Sequence, residues 1–184
     1  MTTSQPIHIM SPAAENLVLA AKRGHRRGLG WALHADFAGE MRERVRRLGM
    51  GLEDRLDNAI GSLSGGQRQA LTLLMATWLK PKLLLLDEHT VALDPKSAEQ
   101  VTRISEEIIA RDQLTTLMVT HSMQQAVNLG GRLIMMHRGR ILHDLHGAEK
   151  RRLRVDDLLA RFEEVRRGEL LDETAAQMLQ RMYV

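Results

Sequence analysis

The sequence predicts an α/β protein in which a helical segment precedes parallel strands and further helices close the chain. Three observations predict it. Ala70, Leu71, Leu74, Met75 and Trp78 recur at helical spacing. Lys82–Asp87 is an almost continuously apolar run that ends in two acids, Asp87 and Glu88, the pattern of a strand buried on both faces. From there strand, helix and strand alternate up to Thr120, as in a parallel sheet with right-handed crossovers.

The elements follow from local chemistry. Residues 1–10 read as an unstructured lead. Ser11-Pro12 opens a helix to about Lys22, with Ser11 as N-cap and Pro12 in the first helical position. Gly24, Gly28 and Gly30 make a loop, and a second helix runs from Asp36 to Leu48 and stops at Gly49 or Gly51. Ser64-Gly65-Gly66 starts a third helix, which reaches about Leu79 and is ended by Pro81. After the strand at Lys82–Asp87 come a helix over 95–110, a strand at Thr115–Thr120 and a short helix near Ser122–Leu129. Leu133–His137 and Ile141–Leu145 form a hairpin around Arg138-Gly139-Arg140. Helices near Val155–Arg166 and Leu170–Met182 finish the chain. The expected organisation is a lead (1–10), a helical subdomain (11–80), an α/β remainder (81–150) and a C-terminal helical extension (151–184).

Composition narrows the class. The 184 residues are 43% hydrophobic and only 3% aromatic, so the core must be aliphatic. There is no cysteine, which removes disulfides and thiolate metal sites and fits a reducing compartment. No apolar run reaches the roughly 20 residues that span a bilayer, and no signal peptide is visible. The reading is therefore cytoplasmic. The net charge of +3 is mild. Its basic clusters are Lys22–Arg27, Arg42–Arg47 and Lys150–Arg154; the pairs Glu40/Arg44 and Glu43/Arg47 mark a solvated helix face rather than a nucleic-acid surface, and the aromatics of a single-strand binder are missing.

Four segments carry chemistry, in a fixed order. Leu63-Ser64-Gly65-Gly66-Gln67 puts two glycines at a helix start, where backbone N–H groups and the helix dipole favour an anion and Ser64 adds a hydroxyl. Taken alone, Ser-Gly-Gly is equally a plain loop and cap. Asp87 sits where a buried strand reaches the C-terminal edge of the sheet, the place where open α/β sheets bind ligands; it can hold Mg²⁺, and Glu88 can orient or deprotonate a water. Ala92-Leu93-Asp94-Pro95 is by itself an ordinary turn and helix start. His121 directly follows Leu117-Met118-Val119-Thr120, at the sheet edge beside the proposed metal position, where it can touch a phosphate.

Together these segments resemble the ATP-binding-cassette (ABC) ATPase family, over about residues 11–165. Leu63–Gln67 matches the family's signature motif letter for letter, Leu83–Glu88 looks like its Walker B strand with the catalytic glutamate, Ala92–Pro95 resembles its D-loop and His121 its switch histidine. Glu88-His89-Thr90 departs from the commoner Glu-Pro-Thr. That variant, with Met118–Met123, is similar to importer-type subunits that accompany permeases for amino acids such as tryptophan or tyrosine. The resemblance implies a partial P-loop NTPase fold with a helical signature subdomain and a peripheral place on the inner face of the membrane, through a permease. It implies ATP and Mg²⁺ as ligands, with Glu88 and His121 as catalytic residues, Asp87 on the metal and Asp94 in the D-loop. Ser64, Gly65, Gly66 and Gln67 would meet the ATP of a second ABC ATPase subunit.

The family's phosphate-binding loop, Gly-x-x-x-x-Gly-Lys-Ser/Thr, does not occur in these residues. None of Lys22, Lys80, Lys82, Lys96 and Lys150 follows a glycine, and only 62 residues precede Leu63. Glu15-Asn16-Leu17 looks like the entry to the helical subdomain, and Gln5 is too close to it to serve as the family's Q-loop glutamine. The expectation is a chain that supplies a signature but builds no complete nucleotide site, and whose sheet lacks a strand between Thr115–Thr120 and the hairpin. Four readings follow: a truncated transporter ATPase, a non-catalytic half-cassette serving a complete partner, an ABC ATPase of nucleic acid or ribosomes, and a remnant without function. The third usually carries two cassettes or coiled-coil insertions, which are absent here.

Overall fold

The computed structural model describes residues 11–23 and 35–167. The expected lead, the Gly24–Gly30 loop, Gln5 and the helix at Leu170–Met182 lie outside the described residues. The chain divides into two compact units, residues 1–119 and 120–184.

In the first unit, helix α1 spans Ala13–Ala21. Its N-cap is Pro12, extended at φ −54° and ψ 149°, with no side-chain cap, so the helix starts one residue later than Ser11-Pro12 implied. Proline cannot donate, and the first helical N–H groups find other acceptors. Ala13 N donates to Asn58 O and Ala14 N to Leu56 O, while the buried Asn16 side chain donates to Pro12 O. The segment leading to the signature motif is thereby tied to α1.

Helix α2, Ala35–Arg46, buries Phe37, Met41 and Val45 at four-residue spacing. Both expected ion pairs form: Arg44 Nη2 to Glu40 Oε1 at 2.6 Å and Arg47 Nε to Glu43 Oε1 at 3.3 Å. Arg44 does more than face solvent. It stacks over the Trp78 ring at 4.3 Å and donates Nη1 to the Trp78 carbonyl at 3.0 Å, pinning α2 to the end of the next helix.

Helix α3 is Gly65–Thr77, strand β1 Leu84–Asp87, helix α4 Pro95–Asp112 and strand β2 Thr116–Val119. β1 and β2 pair in parallel, Leu85 opposite Leu117 and Asp87 opposite Val119. One core joins Leu17, Val45, Leu71 and Ile104 to Leu84 and Leu86 of β1. The other face of the sheet is open, with Leu83 at 52%, Leu85 at 48%, Leu117 at 52% and Val119 at 50% exposure. The sequence reading of a strand buried on both faces is corrected here. The core cluster takes only the residues that alternate inward, and nothing among the described residues covers the rest.

In the second unit, helix α5 is Met123–Asn128, capped by Ser122 Oγ, which accepts from Gln125 N. Strands β3, Arg132–His137, and β4, Arg140–His146, form the expected hairpin. Its turn places Arg138 at φ 47° and Gly139 at φ 76°, as a two-residue hairpin turn requires. Helix α6, Gly147–Arg152, and a helix α7 over 155–167 follow. Leu133, Leu145, Leu153 and Leu158 form the core of this unit. The described strands make two separate two-stranded sheets, β1-β2 and β3-β4.

Candidate functional site

The residues that resemble a signature motif, Ser64–Gln67, occupy the start of α3. Ser64 is the N-cap, at φ −64° and ψ 161°, and forms a capping box with Gln67. Gln67 N donates to Ser64 Oγ at 3.2 Å, and Ser64 N donates to Gln67 Oε1 at 3.1 Å. The Ser64 hydroxyl accepts in this box, so its hydrogen remains a donor. Arg68 reaches back to the Leu63 carbonyl at 2.7 Å and fixes the residue before the cap. A β-carbon on Gly65 would meet Leu93 Cδ2 at 3.1 Å. The two glycines therefore serve a close approach to the start of α4 as well as an open helix end.

Asp87 ends β1 and is exposed, as is Glu88. The ladder continues one step further, with Glu88 N donating to Val119 O at 3.0 Å. Glu88 then turns left-handed at φ 43°, a conformation uncommon for a non-glycine residue and one that collects at functional sites. Two tight turns follow, Val91 N to Glu88 O at 3.1 Å and Leu93 N to Thr90 O at 3.2 Å. They deliver Asp94 as the N-cap of α4, where its carboxylate accepts from Ser97 N at 3.0 Å. Hydrogen bonding from Ser97 holds the Asp94 carboxyl below the usual range, so it is ionised at neutral pH.

His89, the departure from Glu-Pro-Thr, has a definite partner. Its Nε2 lies 3.1 Å from Ser105 Oγ. Ser105, fully buried, gives its hydroxyl hydrogen to Val101 O at 2.8 Å. The ring nitrogen must therefore be the donor, and burial lowers the His89 pKa, which leaves a neutral imidazole protonated at Nε2. His89 anchors the Glu88 turn to α4 where the commoner proline would only stiffen it. The sequence reading noted His89 but gave it no partner, and it missed Ser105, which no local pattern marks.

The first unit thus holds Ser64, Gly65, Gly66, Gln67, Asp87, Glu88 and Asp94, with the turn at Gly65 directly against Leu93, the residue before Asp94. His121 is an exposed residue of the second unit. Among the described residues no cluster of three or more His, Cys, Asp or Glu side chains is assembled to hold a metal. The exposed carboxylate of Asp87 is the donor type of the other kind of magnesium site, in which one or two carboxylates share the ion with phosphates and waters.

The comparisons with known proteins converge. A family model described as ABC transporter matches residues 6–91. A tyrosine transport ATP-binding protein of Clostridioides difficile is 40% identical over 149 residues, which is 81% of this chain and 59% of that protein. Over these residues the chain is similar to the ABC transporter family and to its ATP-binding proteins. A methionine import ATP-binding protein of Streptococcus mutans is 31% identical over 141 residues, 74% of this chain and 40% of the relative. The fold agrees. A solved ATP-binding cassette of an ABC transporter in its ADP conformation superposes with a TM-score of 0.65 at 21% identity, covering 85% of this chain and 62% of that one. A nucleotide-free cassette gives 0.60 at 23% identity, covering 82% and 60%. The chain therefore has an ABC ATPase fold, and it spans about six-tenths of the length of the tyrosine transport relative.

Proposed function

We propose that this chain is the signature- and Walker B-bearing part of an ATP-binding subunit of an ABC importer, whose ATP hydrolysis drives solute entry through a separate permease. The observation that carries the reading is the signature turn itself: a capped, glycine-lined helix start packed against the D-loop. Ser64, Gly65, Gly66 and Gln67 would face ATP held by a second ABC ATPase subunit, with Asp94 beside them at the interface. By the same resemblance Asp87 would ligate Mg²⁺, Glu88 would align and deprotonate the attacking water, and His121 would contact the γ-phosphate. When bound, Mg²⁺ neutralises charge on the phosphates. Among the described residues no helix is long and apolar enough to cross a membrane, in keeping with a peripheral, cytoplasmic subunit held by its permease. The tyrosine transport relative supports an amino acid as the solute.

A central part of this reading is that the chain donates its signature turn to a second, P-loop-bearing subunit. Association tests it. With a P-loop-bearing cassette of the same family, made unable to hydrolyse by exchanging its catalytic glutamate for glutamine, the chain should co-elute in MgATP and separate in MgADP. Elution that is the same in both nucleotides would overturn it.

A further inference from the structure

Two glutamines on different helices donate to consecutive carbonyls of one turn. Gln67 Nε2, on α3, donates to Met50 O at 3.1 Å, and Gln100 Nε2, on α4, donates to Gly49 O at 3.2 Å. The turn is built for this. Gly49 and Gly51 both sit at φ 64°, in the left-handed region that glycine enters without steric cost. The turn also touches the signature, since Met50 Cε would lie 3.5 Å from a β-carbon on Gly66.

Gln67 has little left for a ligand. Its Oε1 accepts from Ser64 N, its Nε2 donates to Met50 O, and its backbone N–H is held by Ser64 Oγ. Gln100 lies outside the four motifs, three residues beyond Ser97, whose N–H is capped by Asp94. The two bonds therefore close a loop of contacts: signature turn to glycine turn, glycine turn to α4, and α4 back to the signature through the approach of Gly66 to Ser97.

We propose that Gln67 and Gln100 are positioning residues. By gripping the Gly49–Met50 turn from two helices they lock the signature turn and the D-loop into one rigid surface. The importance of such a surface rests on the function proposed above; the lock itself does not.

The test is amide hydrogen exchange and ¹⁵N chemical shifts of the isotopically labelled 184-residue chain without nucleotide, so its failure is separate from any failure of the functional reading. Gln100→Ala and the isosteric Gln100→Glu, which has no donor for the Gly49 carbonyl, should speed exchange several-fold at the Gln67 and Arg68 amides, although these lie on the other helix. Gln100→Lys, which restores an N–H donor, should return both towards the parent rates. The Leu74 amide, deep in α3, should keep its rate in all three and so report that the chain remains folded. Unchanged Gln67 and Arg68 amides in Gln100→Ala would overturn the proposal, as would a Lys variant no better than the Glu variant.

Discussion

Gly66 and Ser97 are so close that a β-carbon added to Gly66 would meet Ser97 Cβ at 2.9 Å and its Oγ at 3.1 Å. Ser97 Cβ is fixed to the backbone of α4, so relief requires a helix to move. Gly66→Ala gains up to about 1 kcal/mol of helix propensity. It loses about 1–3 kcal/mol to overpacking, so the net effect should be destabilising. Urea unfolding should show a lower midpoint for Gly66→Ala, with much of the loss recovered in Gly66→Ala/Ser97→Gly but not in Gly66→Ala/Ser97→Ala, which keeps the offending carbon.

That contact also shows where the sequence stops being legible. The order of helices and strands, the hairpin and the capped start of α3 all rest on local chemistry: a Ser-x-x-Gln box, apolar spacing and a two-residue turn. Asp87, Glu88 and Asp94 were visible because their residue types sit at strand and helix ends. The grip of Gln100 on Gly49 crosses 51 positions and leaves no local pattern. The left-handed turn at Glu88 was equally hidden, because a carboxylate there carries no conformational signal. The apolar run at Leu83–Leu86 says that both faces of β1 are apolar, but not what covers each one; the structure buries Leu84 and Leu86 and leaves Leu83 and Leu85 exposed.

Glu88 gives the second prediction. In a cassette made complete by a P-loop-bearing N-terminal part, Glu88→Gln should keep ATP binding and lower turnover by about 10²–10⁴-fold, the usual worth of a general base. The amide preserves shape but cannot take a proton. Steady-state ATPase rates with a parallel nucleotide-binding titration decide it, and full turnover in the variant would remove Glu88 from the mechanism.

The third concerns pH. Asp112, with its side chain only 6% exposed, takes hydrogen bonds from Arg111 at 2.6 Å and Lys80 at 3.1 Å, which pull its pKa from 3.8 to about 2. A carboxyl depressed in the folded state adds stability that is complete above its unfolded value and is lost as pH falls through the folded one. Asp112→Asn should therefore lower the urea midpoint at pH 7, with the gap closing between about pH 4 and pH 2. A constant gap across that window would show that the ion pairs are not the cause.

The open face of the first sheet gives the fourth. Leu85 and Leu117 are register partners with about half their surface exposed. An apolar sheet face of this kind invites association. Leu85→Lys with Leu117→Glu should reduce light scattering on concentration, and it should change unfolding free energy by no more than about 0.5 kcal/mol, as for surface positions. A loss of several kcal/mol would mean that the face is packed in solution.

If Ser64–Gln67 completes a nucleotide site on a partner, ATP turnover in a mixture of the two must show it. A P-loop-bearing cassette of the family is assayed alone, with this chain, and with its Gly65→Asp variant. The new β-carbon meets only the flexible end of Leu93, at 3.1 Å, so the fold should accept the change while a carboxylate enters the turn proposed to face phosphate. Turnover should be faster with the parent chain and show no gain with Gly65→Asp. No gain from the parent chain, or an equal gain from the variant, would contradict it.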